Sequence, residues 1–146
     1  MKMTLKEHGF TLLELVITLA IVAIIVVIAV TSANKFLPKY RLKNATSLIL
    51  SDLNQARKLA AKNGSNCTIR IDSSGEYYDL ISNSTTIFQR NFKTDYGWKD
   101  ITISSAQNPT FKPCGEIIDR ATITISNTVN ESISITMSVT GRIYVE

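Results

Sequence analysis

The sequence predicts an α+β protein in which a long N-terminal helix, with a transmembrane half and an amphipathic half, packs on a C-terminal antiparallel β domain. Three observations support this fold class: an uncharged apolar run near the N-terminus, apolar residues at helical spacing after it, and strict alternation beyond Gly64. A chain of 146 residues holds one modest domain once the apolar run is set aside.

The apolar run extends from Leu15 to Val30, carries no charge and is interrupted only by Thr18. Together with the apolar residues just before it, the run reaches the ~20 residues that a membrane-spanning helix needs. A cleaved secretory signal is the alternative, because small residues follow at 31–33. The run is longer than a signal core of about 7 to 15 residues, and Glu14 lies at its start, so a retained spanning helix is favoured.

An amphipathic stripe continues the helix beyond the membrane segment. Its apolar and small residues recur at helical spacing: Leu42, Ala45, Ile49, Leu53, Ala56 and Ala60. We expect this stripe to pack on the chain's own sheet, and Asn63 and Gly64 to end the helix. Pro38 predicts a kink or a short break.

Period-two alternation marks the strands of the C-terminal half. It predicts strands near 67–71, 77–81, 86–92 and 101–104, then three more around 123–125, 133–139 and 143–145. Thr140 and Gly141 mark the last hairpin turn. Apart from the strand at 101–104, residues 93–114, which include two prolines, give no folding pattern.

The N-terminal residues Gly9 to Leu15 read GFTLLEL, which resembles the signature of type IV prepilins and pseudopilins. The resemblance implies that a membrane prepilin peptidase and methyltransferase cleaves between Gly9 and Phe10 and methylates the new Phe10 amine. It also implies an assembly role for Glu14. A carboxylate at membrane depth costs about 2.5 to 3.5 kcal/mol unless it is paired. The Phe10 amine of the same chain or of a neighbouring subunit is the expected partner, with a purely helix-terminal charge as the alternative.

Three further segments resemble the GspH/FimT family of minor pseudopilins and minor type IV pilins. They are QARKLAAKNGSNCTIRI at 55–71, FKPCGEI at 111–117 and MSVTGRIYV at 137–145. The resemblance implies a prepilin leader at 1–9, a transmembrane helix part at 10–33, an amphipathic helix part at 34–63 and a periplasmic β domain at 64–146.

The implied function is that of a minor pseudopilin in a type II secretion pseudopilus, with a minor type IV pilin as the alternative. The implied location is the bacterial inner membrane, crossed once with the C-terminal domain in the periplasm. Implied partners are other pilins or pseudopilins, contacted through the N-terminal helix, and an inner-membrane assembly platform. The excess of 16 Lys and Arg over 12 Asp and Glu permits nucleic-acid binding without indicating it.

Some members of this family bind DNA through a terminal GRxR hairpin. This chain has Gly141 and Arg142, but Tyr144 stands where the second arginine would lie. One cation is a weak phosphate site, because phosphate binding normally uses several cations together. DNA contact at Arg142 is therefore the less favoured interpretation.

The two cysteines, Cys67 and Cys114, follow the membrane segment. Lys2 and Lys6 place the leader in the cytoplasm, so the cysteines would lie where disulfides persist. A Cys67–Cys114 bond is favoured, with two buried free thiols as the alternative.

Enzyme chemistry has little support in the composition. The single histidine, His8, lies in the leader that cleavage would remove. The mature chain would then lack an imidazole for a general base or a zinc site, and the sequence carries no glycine-rich phosphate loop. We expect no catalytic residues, no metal and no cofactor.

Overall fold

The computed structural model describes the backbone of residues 10–146 and the side chains of 10–29 and 36–146. The leader predicted at 1–9, which includes Gly9, lies outside the described residues. Helix α1 spans Leu12–Asn63 and includes Pro38, so the short break predicted at that proline is wrong. Eight strands follow: β1 (Cys67–Ile71), β2 (Tyr77–Ser82), β3 (Thr85–Asn91), β4 (Ile101–Ser105), β5 (Thr110–Phe111), β6 (Ala121–Asn127), β7 (Ser132–Met137) and β8 (Ile143–Val145).

The chain divides into two compact units, one ending at Phe36 and one formed by Leu37–Glu146. The described part of the first unit is almost entirely helix, and its described side chains are all exposed. The second unit contains the rest of helix α1 and all eight strands, and it has its own hydrophobic core.

The predicted helix stripe forms one side of that core. All six of its residues are buried, from Leu42 at 3% exposed to Ala60 at 0%. Full burial of each large aliphatic side chain contributes roughly 1.5 to 3 kcal/mol, while the alanines allow the sheets to approach closely. The helix ends as predicted: Gly64 has φ 62°, and the amide of Ser65 donates to the Ala60 carbonyl at 3.3 Å.

Two four-stranded antiparallel sheets pack against the helix. Sheet A has the order β3-β2-β1-β5 and sheet B the order β4-β6-β7-β8. Backbone bonds connect the sheets: the Ile103 amide donates to Gly75 at 3.0 Å, and the Ile117 amide donates to Val139 at 3.0 Å. Alternating residues of β6, from Ala121 to Asn127, are buried, as expected for a sheet with one face on the core.

The disulfide favoured from the sequence is absent from this structure. Cys67 is buried on β1, whereas Cys114 is exposed in the loop after β5, and both are free. A disulfide requires Cβ atoms about 3.5 to 4.5 Å apart. In this structure the Cys67 thiol lies in the core and the Cys114 thiol lies at the surface. The structure therefore differs from both interpretations of the sequence, the disulfide bond and the pair of buried free thiols.

The two thiols should therefore differ in reactivity. In the detergent-solubilised native protein, a thiol-specific chromogenic reagent should modify Cys114 alone, and denaturation should release Cys67 for reaction. Cys114→Ser should abolish the native reaction, while Cys67→Ser should leave it unchanged. No reaction even after denaturation, followed by two equivalents once the denatured chain is reduced, would instead establish the bond.

Candidate functional site

The first turn of helix α1 carries the residues predicted to act in assembly. The Glu14 backbone amide donates to the Thr11 hydroxyl Oγ1 at 3.2 Å, so Thr11 caps the helix. The spacing of Thr11 and Glu14 is that of a capping box, a signal that the sequence interpretation overlooked. Phe10 is 83% exposed, and the Glu14 carboxylate makes no ion pair within the described residues. Among the described residues, this end of the helix thus presents a carboxyl group without an ion-pair partner near an exposed aromatic ring.

The rest of the N-terminal unit is an apolar helical surface. Among the described helices, the segment Leu12–Ala29 is long and apolar enough to cross a membrane, and none of it is buried within the chain. Thr18, its polar interruption, donates its hydroxyl to the Leu15 carbonyl at 2.9 Å, so its hydrogen-bonding need is met locally. A surface this apolar needs lipid or other helices around it.

Two basic residues that follow the apolar segment on helix α1 form ion pairs with the β domain. Lys39 pairs with Glu131 at 2.7 Å, and Arg41 pairs with Asp100 at 2.8 Å. The hydrogen bond from Lys39 lowers the pKa of Glu131. These residues therefore help to hold the helix to the turn between β6 and β7 and to the loop before β4.

A buried polar cluster, the Asp52 network, joins the helix to sheet A. Asp52 is 2% exposed, and its Oδ2 accepts hydrogen bonds from the Tyr78 hydroxyl at 2.7 Å and from Arg90 Nε at 2.6 Å. Arg90 also donates to Asp52 Oδ1 at 3.2 Å and to the Tyr96 hydroxyl at 2.9 Å. Burial and the bond to Asp52 raise the pKa of Tyr78, so its hydroxyl stays protonated.

Aromatic stacking extends the Asp52 network into the segment that the sequence left unfolded. The Tyr96 and Trp98 rings stack with centroids 4.9 Å apart, and Trp98 stacks on Phe92 at 6.3 Å. The Trp98 amide also donates to the Phe92 carbonyl at 2.8 Å. The segment after β3 is therefore ordered by contacts with rings rather than by a strand.

The β7–β8 hairpin, which carries Arg142, is fixed by Arg57 and Gly115. Gly141 has φ 79°, and a Cβ there would lie 2.2 Å from the Gly115 carbonyl oxygen. Arg57, on the helix, donates to the Gly141 carbonyl at 3.3 Å. Arg142 is exposed and makes no ion pair within the described residues. The glycine of the hairpin thus has a packing role, and sequence reasoning missed Arg57 because no local pattern links positions 84 residues apart.

Gly141→Ala should therefore destabilise the β domain by about 2 kcal/mol or more, from left-handed strain of about 1 to 2 kcal/mol plus a clash with backbone. Gly64→Ala is the matched control, because Gly64 also has a positive φ but would place its Cβ in open space. Urea denaturation of both variants measures the difference. Equal losses would show that the contact with Gly115 is unimportant.

The predicted site residues of the β domain lie on three different elements. Cys67 lies in the core on β1, Cys114 in the loop after β5 and Arg142 on the last hairpin. Within the described residues there is no group of three acidic, cysteine or histidine side chains suited to a metal ion. The features suited to contact with other molecules are the apolar helix segment Leu12–Ala29 and the exposed β7–β8 hairpin.

Comparisons with known proteins agree with these features. Residues 4–30 match the family model described as the prokaryotic N-terminal methylation motif. The fold is similar to two crystal forms of the type IV minor pilin FimU from Pseudomonas aeruginosa. One match has TM-score 0.60 and 16% identity and covers 76% of this chain and 92% of that chain. The other match has TM-score 0.57 and 16% identity and covers 72% of this chain and 92% of that chain.

The minor pseudopilin EpsH from the type 2 secretion system of Vibrio cholerae is also similar, with TM-score 0.57, 12% identity and coverage of 73% of this chain and 96% of that chain. No curated protein sequence gives a significant match. The apolar helix and the N-terminal motif indicate a membrane-anchored chain. The chain thus combines the N-terminal methylation motif with a fold similar to those of the minor pilin FimU and the minor pseudopilin EpsH, and both findings agree with the resemblance drawn from its sequence.

Proposed function

We propose that the chain is a minor pseudopilin, a structural subunit that helps to start or cap the short periplasmic fibre of a type II secretion system. The observation that carries the proposal is the exposed apolar helix headed by Phe10 and by Glu14, which has no ion-pair partner among the described residues. This surface is suited first to lipid and later to the neighbouring helices of a fibre. In this proposal the chain has no catalytic role.

Processing precedes assembly in this proposal. Cleavage after Gly9 frees the Phe10 amine, and methylation modifies it. The new cation then meets a Glu14 carboxylate, either one helical turn away or on a neighbouring subunit. Mass spectrometry of the mature chain should find N-methylated Phe10. A mature terminus near Asn34 would contradict the proposal, because the apolar helix would then be lost.

The setting of the fibre is tested by deletion and complementation. Loss of secreted enzymes with surface pili retained supports the pseudopilus. A minor type IV pilin is the second candidate, and the likeness to FimU favours it. Loss of pili with secretion intact would support that candidate. Wild-type behaviour in both assays would count against both functions.

DNA contact at Arg142 remains a prediction within the second candidate. Arg142 and Arg57 line one shallow groove, so the hairpin has a second cation nearby, supplied by the helix. Gel-shift titration with duplex DNA tests this contact. A salt-sensitive shift that Arg142→Ala removes would support it, and no shift at micromolar protein would exclude it.

A further inference from the structure

Two of the four sheet edges in the β domain are protected by the chain itself. At β4, the Ile103 amide donates to the Gly75 carbonyl at 3.0 Å. Beside β5, Phe111 forms an isolated bridge with Ile117. Natural sheets protect their edges because unpaired backbone groups recruit other strands. The remaining edges are β3 and β8, and at β3 the backbone amide and carbonyl of Asn91 are both bonded to Asp95.

The outer edge of β8 has unpaired backbone groups. Glu146 and Ser134 exchange two backbone hydrogen bonds, at 2.8 and 2.9 Å, and Tyr144 lies opposite Thr136. Bonded and non-bonded pairs alternate in an antiparallel ladder. The N–H and C=O groups of Ile143 and Val145 therefore point away from β7. They have no hydrogen-bond partner among the described residues.

A shallow groove lies between this edge and helix α1. Its lining residues come from both elements: Leu50, Asn54, Arg57, Gly141, Arg142, Ile143, Tyr144 and Val145. Leu50 and Ile143 are partly buried and pack against the core, which gives the groove an apolar floor. Backbone donors and acceptors beside an apolar floor are the requirements for strand addition.

The charge of the groove selects the chemistry of the added strand. Arg57 and Arg142 line it, and no carboxylate does. Within the described residues neither arginine makes an ion pair. The Arg57 guanidinium donates to the Gly141 carbonyl at 3.3 Å. An arriving segment with carboxylates would therefore meet two cations that are free to pair.

We propose that this groove binds an extended, acidic segment of a neighbouring fibre subunit, which adds as a strand to β8. Pairing of two β8 edges about a two-fold axis is unsuitable, because it would point the 37–63 helices of the two copies in opposite directions. Subunits of a fibre built around parallel helices share one direction, so the added segment comes from a different surface of the neighbour. The identity of the donor rests on the proposed function, whereas the binding chemistry does not.

The binding chemistry is tested on the full-length protein in detergent. The probe is a capped peptide of about seven residues that alternates valine with glutamate. At about ten times its Kd, the peptide should slow hydrogen exchange of the Ile143 and Val145 amides about tenfold. The same peptide with lysine for glutamate, or with alternate amides N-methylated, should have no effect. No saturable protection up to millimolar peptide overturns the proposal.

Val145→Pro is the variant that tests strand addition most specifically. Proline removes the Val145 amide, which faces the open edge, and leaves every hydrogen bond between β7 and β8 in place. The variant should lose peptide binding while the Tyr144 amide stays protected, and Val145→Ala should bind normally. Peptide binding by Val145→Pro with unchanged affinity overturns strand addition. Binding of duplex DNA in the groove with no binding of the glutamate peptide also overturns it.

The donor is tested in cells by incorporation into the fibre. Val145→Pro should enter the fibre several-fold less than Val145→Ala, and equal incorporation overturns the assignment of a neighbouring subunit as donor. If the chain were not a fibre subunit of either kind, neither variant nor the wild-type chain would be found in a fibre. Peptide protection would still be observed in that case, so the two failures are distinguishable.

Discussion

Asp52→Ala is expected to destabilise the β domain by about 3 kcal/mol. The Asp52 carboxylate accepts hydrogen bonds from Tyr78 and from Arg90, and its side chain is 2% exposed. Removing one partner of a buried pair typically costs about 3 to 5 kcal/mol. The lower end applies because the Arg90 side chain is 32% exposed and can turn toward water.

Urea unfolding of the 37–146 unit measures this loss, and the fluorescence of Trp98 reports it because this single tryptophan stacks on Tyr96 beside Arg90. Tyr78→Phe is the milder control, with an expected cost of about 1.5 kcal/mol, the lower end of the range for one hydrogen bond to a charged group. A double-mutant cycle between Asp52 and Arg90 isolates their coupling. A loss below about 1 kcal/mol for Asp52→Ala would show that the network adds little to stability.

Asp52 and its helical neighbours Ile49 and Leu53 differ in how far the sequence predicts their roles. The stripe that contains Ile49 and Leu53 was predicted correctly because burial at helical spacing is a local pattern. Asp52 breaks that pattern, and its partner Arg90 lies 38 positions away on β3. A sequence does not indicate which distant cation will neutralise a carboxylate, so the network was found only in the structure.

The strands show the same distinction between local and distant information. Alternation located β1 and the strands of sheet B, because one face of each lies on the core. It did not indicate that β5 joins the far side of β1 or that residues 93–100 are ordered by the Trp98 stack. Both depend on tertiary pairing. The possible disulfide was also a distant pairing, and the structure separates Cys67 in the core from Cys114 at the surface.

The candidate assembly residues could be selected from the sequence because they lie within one short motif, and their roles stay predictions. Gly9, Phe10 and Glu14 follow one another at fixed spacing, so no tertiary information was needed to select them. The groove beside β8 was not predictable, because it combines the edge of a strand with Arg57 from the helix. Only the register of β7 with β8 reveals which backbone groups are free.

Glu14→Ala should leave membrane insertion intact and reduce incorporation into the fibre by about ten- to a hundred-fold. Insertion depends on the apolar segment Leu12–Ala29, which the substitution does not make less apolar. Incorporation depends on pairing of the carboxylate with a Phe10 amine. The loss of a charge-assisted hydrogen bond, about 1.5 to 3 kcal/mol, corresponds to that change in an equilibrium.

The structure raises a competing explanation, because the Glu14 amide is bonded to Thr11 in the spacing of a capping box. Glu14→Gln separates the two roles, since glutamine also serves in a capping box but carries no charge. If pairing with the Phe10 amine matters, Glu14→Gln should fail as Glu14→Ala does, while Thr11→Ala, which loses the cap at about 1 kcal/mol, should assemble better than either. Quantifying each variant in membranes and in purified fibres gives the answer. Normal incorporation of Glu14→Gln together with failure of Thr11→Ala would assign Glu14 to helix capping alone.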